Sequence, residues 1–135
     1  MPALNYQKEL APKILSGEKP FTLRDHRKDG RDPKIGETLF MFTGQRSKQC
    51  KKFAERRCRF TVTISLGYCR VAIPGLTELL WPDHLENFAR LDGFASYAAF
   101  CKFHGVRVGM SAKSMRLIAW VTRDELKQLL KLTTV

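Results

Sequence analysis

The clearest structural signal in the sequence is a run of alternating apolar and polar residues between positions 57 and 66. One side of this run carries Cys58, Phe60, Val62 and Ile64, and the other carries Arg59, Thr61, Thr63 and Ser65. Successive side chains of a β-strand point to opposite faces, so a period of two is typical of a strand with one buried face. The middle of the chain is therefore predicted to be β-structure. A second strand over residues 68–73 would follow as a hairpin or a bulged ribbon.

Other patterns predict further strands and several helices. The other predicted strands cover residues 3–6, 21–24, 38–43 and 115–121. The predicted helices cover residues 9–16, 82–90, 96–104 and 123–132, and residues 44–55 are predicted to form a basic loop or a short helix. Strands and helices that do not alternate one for one are typical of an α+β fold. The β-rich middle predicts a small β-barrel with helices packed on it.

Chain length and charge limit the class of protein. A chain of 135 residues fits one domain, which we take as residues 1–135. It has 24 Lys and Arg against 13 Asp and Glu, a net charge of +11. Residues 1–70 hold 16 of the basic and 7 of the acidic side chains, a net charge of +9. Such a surface attracts polyanions, so RNA or a nucleotide is the expected partner, with DNA as an alternative.

The sequence also predicts where the protein resides. No apolar run approaches the roughly 20 residues that a membrane span needs. The first residues lack the apolar core of a signal peptide. We therefore expect a cytoplasmic protein with no membrane partner. The oligomeric state has no signal in the sequence.

Cysteine and histidine spacing bears on metal binding. The cysteines are Cys50, Cys58, Cys69 and Cys101. They form no C-x-x-C pair and have no histidine at ligand spacing, so we predict no metal-ligating residues and no cofactor, with a divalent metal left open. The histidines are His26, His84 and His104. They are dispersed, and each is interpreted as an incidental polar residue.

A short motif near the N-terminus carries a family resemblance. Residues 17–24 read Gly-Glu-Lys-Pro-Phe-Thr-Leu-Arg and resemble the G-x-K-x-x-T-x-R signature of ASCH domains, a PUA-like β-barrel family related to RNA-binding modules. Four further features resemble family patterns in the same order: Leu10, Ile14 and Leu15 before the motif, and the stretches 33–39, 91–100 and 117–120. The matches extend over residues 4–121. The chain departs from the usual motif at Pro20, where members often carry Thr.

The resemblance implies both a fold and a site. It implies a small barrel with a cleft over the motif that binds RNA or modified nucleosides. Some small members are amidohydrolases that act on N4-acetylcytidine through the motif Lys, the motif Thr and a downstream carboxylate, and others are ribonucleases. Carried onto this chain, the resemblance makes Lys19, Thr22 and Asp92 the candidate catalytic residues.

Residue chemistry sets conditions on that site. Alternation places Thr22 and Arg24 on one face of a strand, so Lys19 needs a bend near Pro20 to join them. In a partly dry cleft, Lys19 would stabilise an anion or, with a lowered pKa, act as a base. Thr22 would be a nucleophile or a hydrogen-bonding group. The alternatives are that Lys19 is an exposed loop lysine and that Asp92 forms an Asx turn.

A basic segment over residues 46–59 is the second candidate site. The candidate nucleic-acid-binding residues are Arg24, Arg46, Lys48, Lys51, Lys52, Arg56 and Arg57. Clustered cations predict a phosphate-binding patch beside the cleft, and the alternative is a solvated loop that aids solubility. Cys50 and Cys58 lie among these cations, which predicts lowered thiol pKa values.

Three functions follow from these features. The first is an RNA- or nucleotide-binding hydrolase, either a ribonuclease or a modified-nucleoside amidohydrolase, acting through the Lys19 and Thr22 cleft. The second is a non-catalytic RNA-binding regulatory module. The third is a basic protein-interaction domain, because a fold does not determine a function.

Overall fold

The computed structural model describes residues 3–27, 30–44, 47–68, 70–80 and 83–131. Its strands are β1 (Ala3–Tyr6), β2 (Phe21–Arg24), β3 (Thr38–Thr43), β4 (Lys51–Arg57), β5 (Phe60–Leu66), β6 (Arg70–Ile73), β7 (Thr77–Leu80) and β8 (Lys113–Ala119). A 3-10 helix spans Lys8–Leu10, and the α-helices are α1 (Ala11–Ser16), α2 (Asp83–Leu91), α3 (Tyr97–His104) and α4 (Arg123–Lys131). This mixture of two sheets and four α-helices confirms the α+β class.

The strands form two sheets. The three-stranded sheet has the order β1-β3-β4, with β1 parallel and β4 antiparallel to β3. The five-stranded sheet is antiparallel throughout and has the order β2-β8-β5-β6-β7. Strand β8 lies between β2 and β5, so Leu117 is paired with Leu23 on one side and Val62 on the other. The pairings among the described strands leave both sheets open, and no closed barrel is found there.

The alternating run of residues 57–66 forms a corner between the two sheets. Residues 60–66 form β5 as predicted, but the strand does not extend back to Arg57. The Cys58 N–H donates to the Glu37 carbonyl at 2.8 Å, and the next N–H, of Arg59, donates to the Ala119 carbonyl at 2.8 Å. The backbone therefore leaves one sheet at Cys58 and enters the other at Arg59.

Two apolar clusters hold the fold together. The larger lies between the five-stranded sheet and the helices, where Phe21 stacks on Phe88 of α2 at 5.1 Å between ring centroids. The smaller lies under the three-stranded sheet and contains Leu39 and Met41. Neighbouring side chains of β8 face opposite ways, so Leu117 belongs to the larger cluster and Ile118 to the smaller.

Two strands were not predicted from the sequence. The prediction of a basic loop or short helix over residues 44–55 is wrong for residues 51–55, because Lys51–Arg57 forms β4. The described residues 47–50 form a loop, as predicted. This strand is an edge strand with mostly exposed charged side chains, so it has no apolar alternation to reveal it. Strand β7 was also missed. The described helices are all too short or too polar to reach across a lipid bilayer.

Candidate functional site

A cavity of about 430 Å³ lies where an edge of the three-stranded sheet meets an edge of the five-stranded sheet. Among the described strands, β1 pairs with β3 alone and β2 pairs with β8 alone, so each has a free edge. Residues of both strands line the cavity, and the Arg24 guanidinium of β2 donates to the Asn5 carbonyl of β1 at 2.7 Å. The polar side chains that line it include Tyr6, Lys19, Thr22, Arg24, Asp92 and His104.

Lys19 is buried in this cavity, with 1% of its surface exposed. Helix α1 ends at Gly17, whose φ of 88° lets the chain turn back, and the Lys19 N–H then donates to the Lys13 carbonyl at 3.0 Å. Lys19 and Thr22 consequently line the same cavity, as the predicted bend near Pro20 requires. The alternative that Lys19 is an exposed loop lysine is wrong.

Asp92 meets Lys19 at the wall of the cavity. The Lys19 Nζ donates to the Asp92 Oδ1 and to the Asp92 carbonyl oxygen, each at 2.6 Å. Asp92 directly follows α2, and its N–H donates to the Phe88 carbonyl at 3.1 Å. The side chain is turned inward and is 2% exposed, rather than closing a surface Asx turn. Lys19, Thr22 and Asp92 all line this one cavity, and their catalytic role stays a prediction.

Gly93 allows this arrangement by letting the chain pass close to Leu10. Its φ is 99°, a left-handed conformation that favours glycine. A Cβ placed there would lie 2.6 Å from Leu10 Cδ2. The Gly93 carbonyl also accepts a hydrogen bond from Lys13 Nζ at 3.1 Å. The Asp-Gly dipeptide thus ends the helix and fixes the carboxylate in position.

His104 is a site residue that sequence reasoning missed. Its Nε2 lies 3.1 Å from Asp92 Oδ2, so the carboxylate bridges Lys19 and His104. His104 is the last residue of α3, and the rings of Phe94, Phe100 and Phe103 surround it at centroid distances of 5.7, 4.5 and 5.1 Å. It is 6% exposed and is not an incidental polar residue. The signal was present, because His104 shares the buried face of α3 with Phe100.

The surroundings of the Lys19 amine shift its pKa. Burial lowers the pKa of Lys19 below its ordinary value of 10.5, and the Asp92 carboxylate opposes that shift without cancelling it. Arg24 and Lys13 add to the lowering through charge repulsion. Lys19 therefore releases its proton more readily than an exposed lysine, while Asp92 and His104 hold its amine in place.

Tyr6 and Arg24 form a further part of the cavity lining. Tyr6 is 4% exposed, and the Arg24 Cζ lies 4.8 Å from its ring centroid. The Tyr6 hydroxyl and the Arg24 Nε are both buried, and neither has a hydrogen-bond partner within the described part of the chain. Burial raises the pKa of Tyr6 to about 12, although the nearby Arg24 and Thr22 act to lower it. Leaving a buried polar group without a partner costs about 1–3 kcal/mol.

The basic segment does not border the cavity. The exposed cations of the segment are Lys48, Lys51, Lys52 and Arg57, and Arg56 is half-buried. None of these five lines the cavity. The predicted Arg46 lies outside the described residues. Strand β4 is two strands from β1, or about 10 Å at the usual strand spacing. The expectation that these cations flank the cleft is corrected to a separate surface on the far edge of the sheet.

Some of the cations on β4 are already engaged. The Lys52 Nζ lies 2.5 Å from Glu55 Oε2, and Arg57 Nη1 donates to the Gly36 carbonyl at 3.0 Å. Cys58 is buried rather than exposed among the cations, and burial raises its thiol pKa, opposite to the predicted lowering. Within the described ranges, no three His, Cys, Asp or Glu side chains come together as a group that could hold a metal ion.

The chain matches no family model, and searches among curated proteins and among solved structures likewise return no match. The fold and the site define an α+β domain in which a buried cluster of lysine, carboxylate and histidine lines a small cavity between two sheet edges. Its function has to be inferred from that geometry.

Proposed function

We propose that this chain is an ASCH-type, PUA-like domain that hydrolyses the amide of an acylated nucleoside such as N4-acetylcytidine. The observation that carries the proposal is the burial of Lys19 in a cavity that it shares with Thr22 and Asp92. A buried lysine is costly unless it is paired, and perturbed lysines in cavities are typical of catalytic sites. The Lys19 amine contacts Asp92, which follows α2, and Asp92 in turn contacts His104 of α3.

The size of the cavity favours a small substrate. Its volume of about 430 Å³ lies within the range of roughly 300–1,000 Å³ that is usual for small-molecule sites. The apolar side chains of Leu10 and Phe94 line it alongside the polar cluster. A single nucleoside fits such a site better than a helical RNA segment, which favours the amidohydrolase over the ribonuclease.

The proposed reaction uses Lys19 and Thr22 in two stages. Neutral Lys19 accepts the Thr22 proton as Oγ attacks the amide carbon, and the carbonyl π electrons move onto the oxygen. The tetrahedral species collapses with cleavage of the C–N bond, and Lys19 returns the proton to the leaving amine. Water then attacks the Thr22 ester by the same proton route, which releases acetate and restores Thr22.

Asp92 and His104 act as positioning residues in this scheme. Asp92 holds the Lys19 amine from two oxygens, and His104 holds the second carboxylate oxygen. The carboxylate also stabilises the ammonium that forms when Lys19 takes the proton. Burial and Asp92 shift the Lys19 pKa in opposite directions, and the net shift is downward.

The position of the motif supports the family assignment. Lys19, Thr22 and Arg24 of the G-x-K-x-x-T-x-R signature all line the cavity. The free edges of β1 and β2 lie next to each other and are linked by the hydrogen bond from Arg24 to Asn5. We take the adjacency of these two edges as support for a PUA-like fold with its cleft between them.

RNA binding by the exposed cations of the basic segment 46–59 is a second candidate function. Lys48 and Lys51 are exposed, and no ion pair of theirs occurs among the described residues. Affinity for single-stranded RNA should then fall with salt at a log–log slope of about −0.7 per phosphate contact. Changing both lysines to Gln should flatten this slope, while the exposed control Lys102→Gln should leave it unchanged. An unchanged slope in the double variant would remove this candidate.

The hydrolase is tested by incubating the protein with N4-acetylcytidine and measuring cytidine by chromatography. Thr22→Val keeps the side-chain volume and removes the hydroxyl, so we expect cytidine release to fall to the background rate. Lys19→Met should lower kcat by at least about 100-fold, as expected for loss of a general base. The control Thr63→Val changes an exposed threonine of β5 and should retain full activity. Absence of turnover by the wild-type protein, or full activity of Thr22→Val, would refute the proposal.

A further inference from the structure

Two buried polar atoms in the cavity lining take no part in the reaction proposed above. They are the Tyr6 hydroxyl and the Arg24 Nε, the two buried side-chain atoms of the described chain that lack a hydrogen-bond partner. Both residues line the cavity that contains Lys19. Buried polar atoms are nearly always paired, so two exceptions in one cavity indicate a binding site for an external acceptor.

Both atoms are available as donors. The Arg24 Nε–H can only donate, because a guanidinium has no acceptor lone pair. Tyr6 keeps its proton, since burial raises its pKa to about 12, and its hydroxyl can therefore donate as well. The guanidinium lies against the ring, with Cζ 4.8 Å from the centroid, and its Nη2 is held by the Asn5 carbonyl. These two contacts hold the guanidinium against the Tyr6 ring.

We propose that the Tyr6 O–H and the Arg24 Nε–H together bind the carbonyl oxygen of the substrate amide and stabilise the oxyanion formed from it. The inference rests on the proposed function and identifies the substrate group that the site recognises. Preorganised donors aimed at a developing negative charge are the largest single contribution in many acyl-transfer enzymes. Thr22 lines the same cavity as both donors, so the nucleophile and the donors would meet one bound amide.

The geometry favours a carbonyl over a phosphate as the group bound here. A phosphate is usually held by the two-pronged side of an arginine, whereas Nη2 of Arg24 is already donating to Asn5. A carbonyl oxygen gains a single negative charge, and only during the reaction. Two convergent donors suit such an oxygen better than they suit a phosphate.

The first test is the activity of Tyr6→Phe on N4-acetylcytidine. This change removes one donor and keeps the ring that packs on Arg24 and Phe53. Loss of one oxyanion donor lowers kcat by about 100- to 1,000-fold, and KM should change less than threefold. The control Tyr68→Phe alters an exposed tyrosine and should be fully active. A Tyr6→Phe variant with wild-type kcat, or with a changed KM alone, would overturn the inference.

The second test measures binding without turnover. In Thr22→Val, the Nε–H resonance of Arg24 is followed by NMR during titration with N4-acetylcytidine, cytidine or cytidine 5′-monophosphate. We expect a shift with the acetylated compound that cytidine does not produce, and at least a tenfold weaker apparent affinity when Tyr6→Phe is added. A shift with the monophosphate instead, or no shift with any compound, would overturn the carbonyl assignment.

The two proposals can fail separately. If the wild-type protein binds the acetylated compound through Arg24 but releases no cytidine, the carbonyl site stands and the hydrolase fails. If the protein turns over its substrate and Tyr6→Phe is fully active, the hydrolase stands and the carbonyl site fails.

Discussion

Replacing Lys19 by Met removes the charge around which the site is built and keeps a side chain of similar length. The change deletes two hydrogen bonds of 2.6 Å, one to the carboxylate and one to the carbonyl oxygen of Asp92. Asp92 is 2% exposed and keeps His104 as its remaining partner through Oδ2. The variant therefore has a buried carboxylate with half of its former contacts.

The expected loss of stability is large but leaves a folded protein. Removing one partner of a buried ion pair costs about 3–5 kcal/mol, because the other charge stays buried and unpaired. The retained contact with His104 places the expected value near the lower end, at about 3 kcal/mol. Since domains of this size are stable by about 5–15 kcal/mol, Lys19→Met should fold at neutral pH.

The pH dependence of this loss has a defined sign. The pKa of Lys19 is lowered in the folded protein, so between that lowered pKa and 10.5 the unfolded state binds more protons than the folded state. The stability of the wild-type protein then rises with pH through this window, by at most about 1.4 kcal/mol per pH unit. Lys19→Met lacks this contribution, so its deficit relative to the wild type should grow as the pH rises.

Urea unfolding between pH 6 and 10, followed by intrinsic fluorescence, measures both quantities. The exposed Lys102→Met serves as the matched control and should follow the wild-type curve at every pH. Equal stabilities of Lys19→Met and wild type, or a deficit that shrinks as the pH rises, would refute the description of Lys19 as a buried, desolvated lysine.

Two further predictions concern stability and use paired variants. Gly93→Ala and Gly109→Ala both place alanine at a positive φ, which costs about 1–2 kcal/mol. Gly93→Ala should cost more in a urea titration, because its Cβ would also lie 2.6 Å from Leu10 Cδ2, and equal losses would contradict the close approach. Tyr6→Phe should stabilise the ligand-free protein by about 1 kcal/mol, because its hydroxyl is buried without a partner. Tyr97→Phe should destabilise it by a similar amount, since the Tyr97 hydroxyl donates to the Gly67 carbonyl at 2.5 Å. If thermal unfolding showed that Tyr6→Phe and Tyr97→Phe change the stability in the same direction, the difference between an unpaired and a paired hydroxyl would be contradicted.

Elements with strong local signals were predictable from the sequence. Helix α3 has Ser96 as its N-cap, which accepts from the Ala99 N–H at 3.1 Å, and Gly105 as its C-cap with a φ of 73°. Strand β2 alternates Phe21 and Leu23, which belong to the larger apolar cluster, with Thr22 and Arg24, which line the cavity. Such caps and periods act within a few residues, so the sequence alone reveals them.

Elements that depend on distant partners were not predictable in the same way. Strand β4 exists because Lys51–Arg57 pairs with β3, and its exposed charges give no apolar period. The break at Cys58 also depends on the distant carbonyls of Glu37 and Ala119. Periodicity shows which residues face a core, and it does not show which of two sheets they belong to.

The residues of the candidate site were likewise predictable only in part. The family resemblance pointed to Lys19, Thr22 and Asp92, and the fold brings these residues to one cavity. Tyr6 and His104 have no motif of their own, and they join the site because β1 and α3 pack beside β2 and the end of α2. A tyrosine and a histidine on buried faces are usually core residues, so only the assembled cavity indicates their second role.

The central claim, that the buried Lys19 acts as a base in amide hydrolysis, is tested most directly by the pH dependence of kcat/KM for N4-acetylcytidine. The wild-type protein should release cytidine with a kcat/KM that rises with pH through an inflection below 10.5, because Lys19 must be neutral and burial lowers its pKa. Tyr6, with a pKa of about 12, would titrate above pH 10.5 and so would not produce this inflection. No cytidine release at any pH, or a kcat/KM that does not change across the range, would contradict the claim.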